Sequence, residues 1–379
     1  MSPRTNRPLL RRSLALPLLV PAALLATSAL ATPLEDGARI ANDPVQMVTR
    51  GAEAERLFVQ CTAESPKNID CWYDLGLLRL HMGNPAGAAE AWRRGLSVDP
   101  QHAPIRAQLA ALEVANGNVE AGLKTLEDIV AANRFQPDAR NALAAYALAQ
   151  GKWDEALKHS RNVLLGDPRN VDAALNAAIA YYRQGLYDQA GLIASSFLEK
   201  DPGAAALHNL LGLVFLQKDN TRKATEHFLE ALKSDPGHAD ARLNLAALEL
   251  GFGNFESAYK RFGEALADRP NDPEIVLSRA VAARGLERYD EAEQGYLKAL
   301  SLRPGFPDAE YDLCVLHQQF TQRWKEAKKH CDTYAAMIDA KHPKFREMKK
   351  RTKSIDTTIM VMERKKAQET APEVPAPTP

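Results

Sequence analysis

The sequence lacks the short motifs that mark common enzyme families. HExxH, GxSxG, the phosphate-binding P-loop and the glycine-rich dinucleotide fingerprint are all missing from its 379 residues. The nine histidines are scattered singly along the chain. The sequence therefore predicts a protein that is not an enzyme and needs no cofactor.

The chain also has no overall excess of charge, with 48 Lys and Arg against 48 Asp and Glu. The two signs are nevertheless separated. Residues 341–366 hold 10 basic and 3 acidic side chains, whereas residues 32–340 hold 34 basic and 43 acidic ones. An acidic body is a poor surface for nucleic acid. The basic segment fits peripheral contact with anionic lipid or an acidic partner, and it fits a solvated helix face equally well.

Long apolar runs are missing after residue 31. Residues 1–31 combine four arginines, an apolar run over 14–25 and a terminal Ala-Leu-Ala, which is typical of a secretory signal peptide. Cleavage would leave Thr32 as the first residue. Because this residue is not a cysteine, we expect no lipid anchor there. An uncleaved anchor is the alternative, but Pro17 and Pro21 interrupt a stretch barely long enough for about 30 Å of hydrocarbon. We expect export, and a bacterial periplasm suits this signal.

A 34-residue repeat dominates the rest of the chain. Prolines recur at this spacing or its multiples, at Pro66, Pro100, Pro168, Pro202, Pro236, Pro270 and Pro304. Small residues recur in step with them, at Ala88, Gly122, Ala156, Ala190, Ala224, Ala258 and Ala292. Aromatic residues three before and four after these positions lie on the same face of a helix. The small residues let two helices approach closely, and each proline ends the second helix of a pair.

The repeat resembles the tetratricopeptide repeat family, through Trp72, Leu75, Gly76, Ala88, Trp92 and Pro100 and again through Leu211, Gly212, Ala224, Phe228, Ala231 and Pro236. The resemblance implies an all-α, right-handed superhelical solenoid. Eight repeats are predicted to begin near Ile69, Ala103, Pro137, Val171, Ala205, Ala239, Pro273 and Pro307. The predicted order is a half-repeat over 32–68, the solenoid over 69–340, an amphipathic helix over 341–366 and a disordered Pro-rich tail over 367–379. The second repeat is degenerate, with Arg134 in place of its proline, and the eighth carries one extra residue before Trp324.

In this family the first helix of every repeat lines the concave side of the superhelix. When the concave-face positions of the family are transferred to this sequence by their place in the repeat, they predict a partner-binding groove. It consists of Tyr73, Leu77, Leu80, Asn141, Leu175, Ile179, Tyr182, Asn209, Leu213, Leu216, Leu243, Leu250, Leu277, Val281 and Tyr311. Leu175 and Ile179 occupy places where a carboxylate clamp for chaperone tails would need basic or amide side chains. An apolar groove suits an amphipathic helix or an extended segment with apolar anchors. Some of these leucines are alternatively expected to pack only between neighbouring helices.

Four cysteines form two local pairs near the ends of the array, Cys61 with Cys71 and Cys314 with Cys331. Disulfides persist in exported proteins, and repeat geometry allows both local pairings, so we predict two disulfides that stabilise the terminal repeats. Zinc bound by Cys314, His317, His330 and Cys331 is the alternative for the second pair.

An apolar stripe follows Pro343, formed by Phe345, Met348, Thr352, Ile355, Ile359 and Met362 at helical spacing. We interpret it as a helix that caps the last repeat, and alternatively as a coiled-coil or partner-binding helix.

The sequence thus predicts a non-catalytic periplasmic scaffold or adaptor in a cell-envelope assembly for motility, pilus, secretion or export. An exported, non-lipidated array with a basic helix resembles envelope tetratricopeptide proteins of gliding machinery. Two alternatives stay open: a peptidoglycan- or polysaccharide-binding module, and a structural protein that self-associates through its C-terminal helix.

Overall fold

The computed structural model describes residues 32–369, which contain nineteen α-helices and no β-strand. The predicted all-α fold is confirmed. The helices are α1 (Pro33–Ala41), α2 (Pro44–Glu64), α3 (Ile69–His81), α4 (Pro85–Val98), α5 (Ala103–Ala115), α6 (Val119–Ala132), α7 (Pro137–Ala149), α8 (Trp153–Gly166), α9 (Val171–Arg183), α10 (Tyr187–Leu198), α11 (Ala205–Gln217), α12 (Thr221–Ser234), α13 (Ala239–Gly251), α14 (Phe255–Asp268), α15 (Pro273–Gly285), α16 (Tyr289–Leu302), α17 (Pro307–Gln319), α18 (Trp324–Met337) and α19 (Phe345–Glu369). The predicted signal peptide lies outside the described residues, as do residues 370–379 of the predicted tail.

The chain divides into two compact units, whose described parts are residues 32–241 and 242–369. In the N-terminal unit each helix from α1 to α11 packs on the next one, and the first helices of neighbouring pairs, α5, α7, α9 and α11, also contact each other. In the C-terminal unit the same consecutive packing runs from α14 to α19. This serial pairing of helices is the architecture of a tetratricopeptide solenoid.

Asp-Pro turns end the second helices by a local hydrogen bond. The carboxylate of Asp99 accepts from the backbone N–H of Gln101 at 3.0 Å, and Asp167, Asp201 and Asp235 make the equivalent bond two residues on. In the degenerate second repeat Asn133 makes the same bond to Phe135, and α6 ends there without a proline. The turn therefore depends on the Asp or Asn side chain as well as on proline.

The turn inside each helix pair uses the left-handed backbone region. Positive φ angles recur every 34 residues at Gly83, Gly117, Gly151, Gly185, Asp219, Gly253 and Glu287, and then at Gln322, 35 residues later. The extra residue of the eighth repeat thus lies in this turn, between α17 and α18. Only glycine adopts this conformation without steric cost, so Asp219, Glu287 and Gln322 are strained exceptions.

Close contact within a pair depends on a glycine in the first helix. A Cβ atom on Gly76 would lie 2.0 Å from the Trp92 ring, and one on Gly212 would lie 2.4 Å from the Phe228 ring. Both aromatic rings are completely buried. The core is accordingly a series of small clusters between successive helices.

Both ends of the described chain differ from the expectation. The predicted half-repeat over 32–68 is a helix pair, because α1 precedes α2 and buries Ile40 against Phe58 and Ala54. At the other end α19 continues to Glu369, three residues beyond the predicted boundary. Met348 and Ile355 of α19 are completely buried against α17 and α18, so this helix caps the last pair.

Candidate functional site on the first-helix face

We call the surface formed by α3, α5, α7, α9 and α11 of the N-terminal unit the first-helix face, since these are the first helices of their pairs. Most of the apolar side chains predicted to line it are covered by neighbours. Leu77, Leu80, Leu175, Ile179 and Leu213 are all between 4 and 7 % exposed. Leu77, Leu80, Leu175 and Ile179 belong to the packed clusters between helices, as the alternative interpretation of the leucines expected.

Four predicted groove residues of this unit keep partly exposed side chains, namely Tyr73, Tyr182, Asn209 and Leu216. Tyr182 lies at the end of α9, where its ring is 5.4 Å from that of Tyr187 and its hydroxyl accepts a hydrogen bond from Gln217 of α11. Leu216 precedes Gln217 on α11. We call Tyr182, Asn209 and Leu216 the central patch; it offers an aromatic ring, an amide and an aliphatic side chain on adjacent helices.

A polar network lies on the same face nearer the N-terminus. The carboxylate of Asp138 accepts hydrogen bonds from the Tyr73 hydroxyl at 2.9 Å, from the Gln108 amide at 3.2 Å and from the Gln136 amide at 2.9 Å. Gln108 and Gln136 are at most 5 % exposed. Burial, followed by the charge of Asp138, raises the pKa of Tyr73, so the tyrosine stays a proton donor. These donors come from α3, α5 and the start of α7 and hold Asp138 in one position.

Two further carboxyl groups on these helices are desolvated. Burial, reinforced by the neighbouring charge of Asp138, raises the pKa of Asp172 in the first turn of α9 to about 7. Burial, reinforced by Asp70, raises the pKa of Asp74 in α3 to about 7. Both carboxyl groups are partly desolvated, and among the described residues no cation compensates either shift.

Sequence reasoning named Tyr73 and Asn141 but missed Asp138 and Asp172. A signal was available, because Asp70, Asp138 and Asp172 occupy the second position of three first helices at spacings of 34 or 68 residues. An acidic residue there is ordinarily explained by the helix dipole. The partial burial of Asp172 and the effect of the Asp138 charge on it are visible only in the folded chain.

In the C-terminal unit the predicted groove residues are largely enclosed. Leu243, Leu277 and Val281 are 8 to 9 % exposed, and Leu250 is half-buried. The side chain of Tyr311 is only partly exposed, because it contacts the capping helix α19 and the residue before it. The Lys344 ammonium lies 3.5 Å from the centre of its ring, and its hydroxyl donates to Glu347 at 3.3 Å.

Both predicted disulfides are present. Cys61 of α2 is joined to Cys71 of α3 with the Cα atoms 5.7 Å apart, and Cys314 of α17 is joined to Cys331 of α18 with the Cα atoms 4.9 Å apart. The second bond removes both thiolates from the alternative zinc set.

The two histidines of that set have other partners. His330 Nδ1 is 2.6 Å from a Glu310 carboxylate oxygen, and His317 Nδ1 is 3.1 Å from the Thr321 hydroxyl. Within residues 32–369 no group of three or more His, Cys, Asp or Glu side chains is arranged to hold a metal ion.

Comparison with known proteins agrees with this architecture. The tetratricopeptide repeat profile matches residues 79–146, 147–214 and 215–282, more than half of the chain. The chain belongs to the tetratricopeptide repeat family. No curated protein matches its sequence significantly.

Solved structures show the same fold at low sequence identity. The crystal structure of the APC/C hetero-tetramer Cut9–Hcn1 matches with a TM-score of 0.61 and 17 % identity over 79 % of this chain. This chain spans 58 % of that matched chain. PilF of Pseudomonas aeruginosa matches with a TM-score of 0.50 and 20 % identity, over 56 % of this chain and 96 % of its own. At such identities the likeness concerns the fold alone.

This repeat fold typically serves as a non-enzymatic framework for protein binding. None of the helices within residues 32–369 combines the length and apolar character needed to cross a membrane. On the first-helix face, the polar network around Asp138 consists of neutral donors on a carboxylate.

Proposed function

We propose that this protein is an exported, non-catalytic scaffold that binds partner proteins of the cell envelope through the first-helix face of its repeats. The central patch carries this proposal. Tyr182, Asn209 and Leu216 combine partial exposure with support from packed helices, and tyrosine is a residue type enriched in binding hot spots.

Export is supported by two independent features. The first is the arginine-rich and apolar segment over residues 1–31, which is typical of a secretory signal. The second is that all four cysteines are joined in disulfides, which persist in oxidising compartments. A bacterial periplasm fits both features. Within the envelope, an assembly for motility, pilus formation, secretion or export is the proposed setting, with gliding motility slightly favoured by the non-lipidated array and its basic helix.

The burial pattern narrows the proposed binding surface. Because the predicted leucines pack between helices, a partner would contact the partly exposed tyrosines and Leu216 instead of a continuous apolar channel. An extended segment or a helix with one or two apolar anchors fits such a surface.

The test is cross-linking of the full chain in envelope extracts, followed by mass spectrometry of the captured proteins. The test variant carries Tyr182→Glu and Leu216→Glu. A matched control carries Leu165→Glu and Leu192→Glu, which change two apolar side chains on second helices that are 72 % and 71 % exposed. Circular dichroism should first show that both variants keep their helices.

We expect a discrete set of envelope proteins to be captured by the native chain and the control and lost from the test variant. Capture of the same set by all three proteins would contradict the central patch as the binding surface. Recovery of no envelope protein by the native chain would contradict the proposed function.

The self-association alternative has weaker support, since Met348 and Ile355 of the apolar stripe are buried within the same chain. The exposed apolar residues of α19 are Met360, Val361 and Met362, at its distal end. Light scattering over a range of concentrations tests this alternative, with Met360→Gln plus Met362→Gln as the variant. Only a concentration-dependent mass that this variant removes would support it.

A further inference from the structure

The outward side of the capping helix α19 is positively charged. Side chains at successive steps of four and three residues share this face of the helix. We call them the outer stripe, which consists of Arg346, Lys350, Lys353, Thr357, Met360 and Arg364. All of them are exposed. The outer stripe lies on the side of α19 opposite Met348 and Ile355, which are buried against α17 and α18.

The acidic side chains of α19, apart from the one that ends the helix, are already paired elsewhere. A carboxylate oxygen of Asp356 lies 2.7 Å from the ammonium of Lys328, and one of Glu363 lies 3.5 Å from the ammonium of Lys325, both lysines of α18. Glu347 forms an ion pair within α19 at 3.0 Å. Among the described residues, no acidic side chain forms an ion pair with a cation of the outer stripe. The stripe therefore keeps its full positive charge.

A solvated helix face does not require this separation of charge. Like charges three and four residues apart, as at Arg346, Lys350 and Lys353, destabilise a helix, whereas alternating signs stabilise it. The far end of the stripe also exposes apolar surface, since Met360 and the adjacent Val361 are 55 % and 49 % exposed. The face thus combines uncompensated cations with apolar side chains, and both would gain from a partner that is anionic and partly apolar.

We propose that the outer stripe holds this protein against a membrane surface that contains anionic phospholipid. The stripe extends over about 27 Å at 1.5 Å per residue on one side of a single helix, so its cations can meet a flat surface together. Each cation near such a surface is attracted by its negative potential. Met360 and Val361 favour a bilayer over an acidic protein, because carboxylates alone offer them no apolar contact, whereas the boundary of the acyl chains does. The proposal concerns the C-terminal unit and does not depend on the central patch.

The experiment is co-sedimentation with vesicles of phosphatidylcholine alone or of an equimolar mixture with phosphatidylglycerol. The chain beginning at Thr32 is used, because the apolar run in residues 1–31 would itself bind lipid. This chain contains every described helix and the threonine that caps α1. Circular dichroism confirms that each protein is helical.

Two variants with the same loss of charge are compared. The test variant carries Arg346→Gln, Lys350→Gln and Lys353→Gln. The matched control carries Lys260→Gln, Lys298→Gln and Lys329→Gln, which alter exposed lysines of α14, α16 and α18 in the same unit. Because the net charge of the two variants is equal, a difference between them reports the position of the cations.

We expect the test variant to bind the phosphatidylglycerol vesicles at least about tenfold more weakly than the native chain and the control. Raising the salt concentration should weaken the binding of the native chain, and vesicles of phosphatidylcholine alone should bind little of any protein. Equal binding of the test and control variants, or equal binding to both kinds of vesicle, would overturn the proposal.

Absence of binding by the native chain to the phosphatidylglycerol vesicles would overturn the proposal as well. Immobilised polyglutamate then serves as a second probe. Its retention of the native chain and the control, but not of the test variant, would identify the outer stripe as a docking surface for an acidic protein instead. The vesicle and polyglutamate results leave the proposed role of the central patch unaffected, so the two proposals fail separately.

Discussion

Glu287 occupies a backbone position that in five of the other repeats is held by glycine. Its φ angle is +62°, in the turn between α15 and α16, and its side chain is exposed. A residue with a Cβ atom costs about 1–2 kcal/mol in this region. Glycine relieves that cost but loses about 0.5–1 kcal/mol through the greater freedom of the unfolded chain. Glu287→Gly is therefore expected to stabilise the C-terminal unit by about 0.5–1 kcal/mol.

The reciprocal change provides a matched control. Gly185 has a φ angle of +78° in the equivalent turn, and a Cβ added there would meet no atom within 4 Å. Gly185→Glu should thus lose a similar net amount, because the backbone strain exceeds the gain from a less flexible unfolded chain. Urea unfolding measures both changes as shifts of the midpoint at constant slope. Destabilisation by Glu287→Gly, or no loss in Gly185→Glu, would refute the assignment of strain to this turn.

Three further predictions concern packing, cross-linking and charge. Gly212→Ala should destabilise the N-terminal unit by about 2 kcal/mol, because its Cβ would lie 2.4 Å from a buried phenylalanine ring. Gly191→Ala is the control and should not destabilise the unit, because its Cβ would meet its nearest neighbour at 3.5 Å. Thermal unfolding compares the two variants. Replacing Cys314 and Cys331 by serine should lower the free energy of unfolding of the C-terminal unit by about 2–4 kcal/mol. The measurement is amide hydrogen exchange in α17 and α18, which should become faster. Unchanged exchange would contradict a stabilising role of this disulfide. Asp172→Asn should stabilise the N-terminal unit at pH 8 and have little effect at pH 4. The reason is that burial raises the pKa of Asp172 to about 7 in the folded chain, so the stability supplied by its protonated form is lost as the pH rises through 7. An equal effect of the substitution at both pH values would contradict this.

The periodic features of the sequence predicted the helices well, because they act locally. Proline after the second helix and glycine or alanine at the close contacts restrict the backbone within a few residues of themselves. First helices accordingly begin at Ile69, Ala103 and Pro137, the residues at which the first three repeats were expected to begin. The cysteine pairs were also accessible from sequence, since each partner lies only one helix away.

Features that depend on tertiary contacts between helices were harder to predict. Helix α1 has no counterpart in the 34-residue pattern, and its place is fixed by Ile40 packing on Phe58. The bond from Tyr73 to Asp138 joins residues 65 positions apart, across an intervening repeat. No local pattern reports such a contact, because it depends on how three successive helix pairs pack together.

The groove residues show the same limit in a form that bears on function. The fifth position of the first helix is held by Tyr73 in α3, Asn141 in α7, Leu175 in α9, Asn209 in α11 and Leu243 in α13, which share one register. Leu175 and Leu243 are 6 % and 8 % exposed, whereas Tyr73 and Asn209 stay half-buried. A period determines the direction in which a side chain leaves its helix, but the neighbouring repeat determines whether that side chain is covered. The repeats therefore differ in which groove positions stay accessible, and the proposed binding surface lies at the central patch, where Tyr182, Asn209 and Leu216 remain partly exposed.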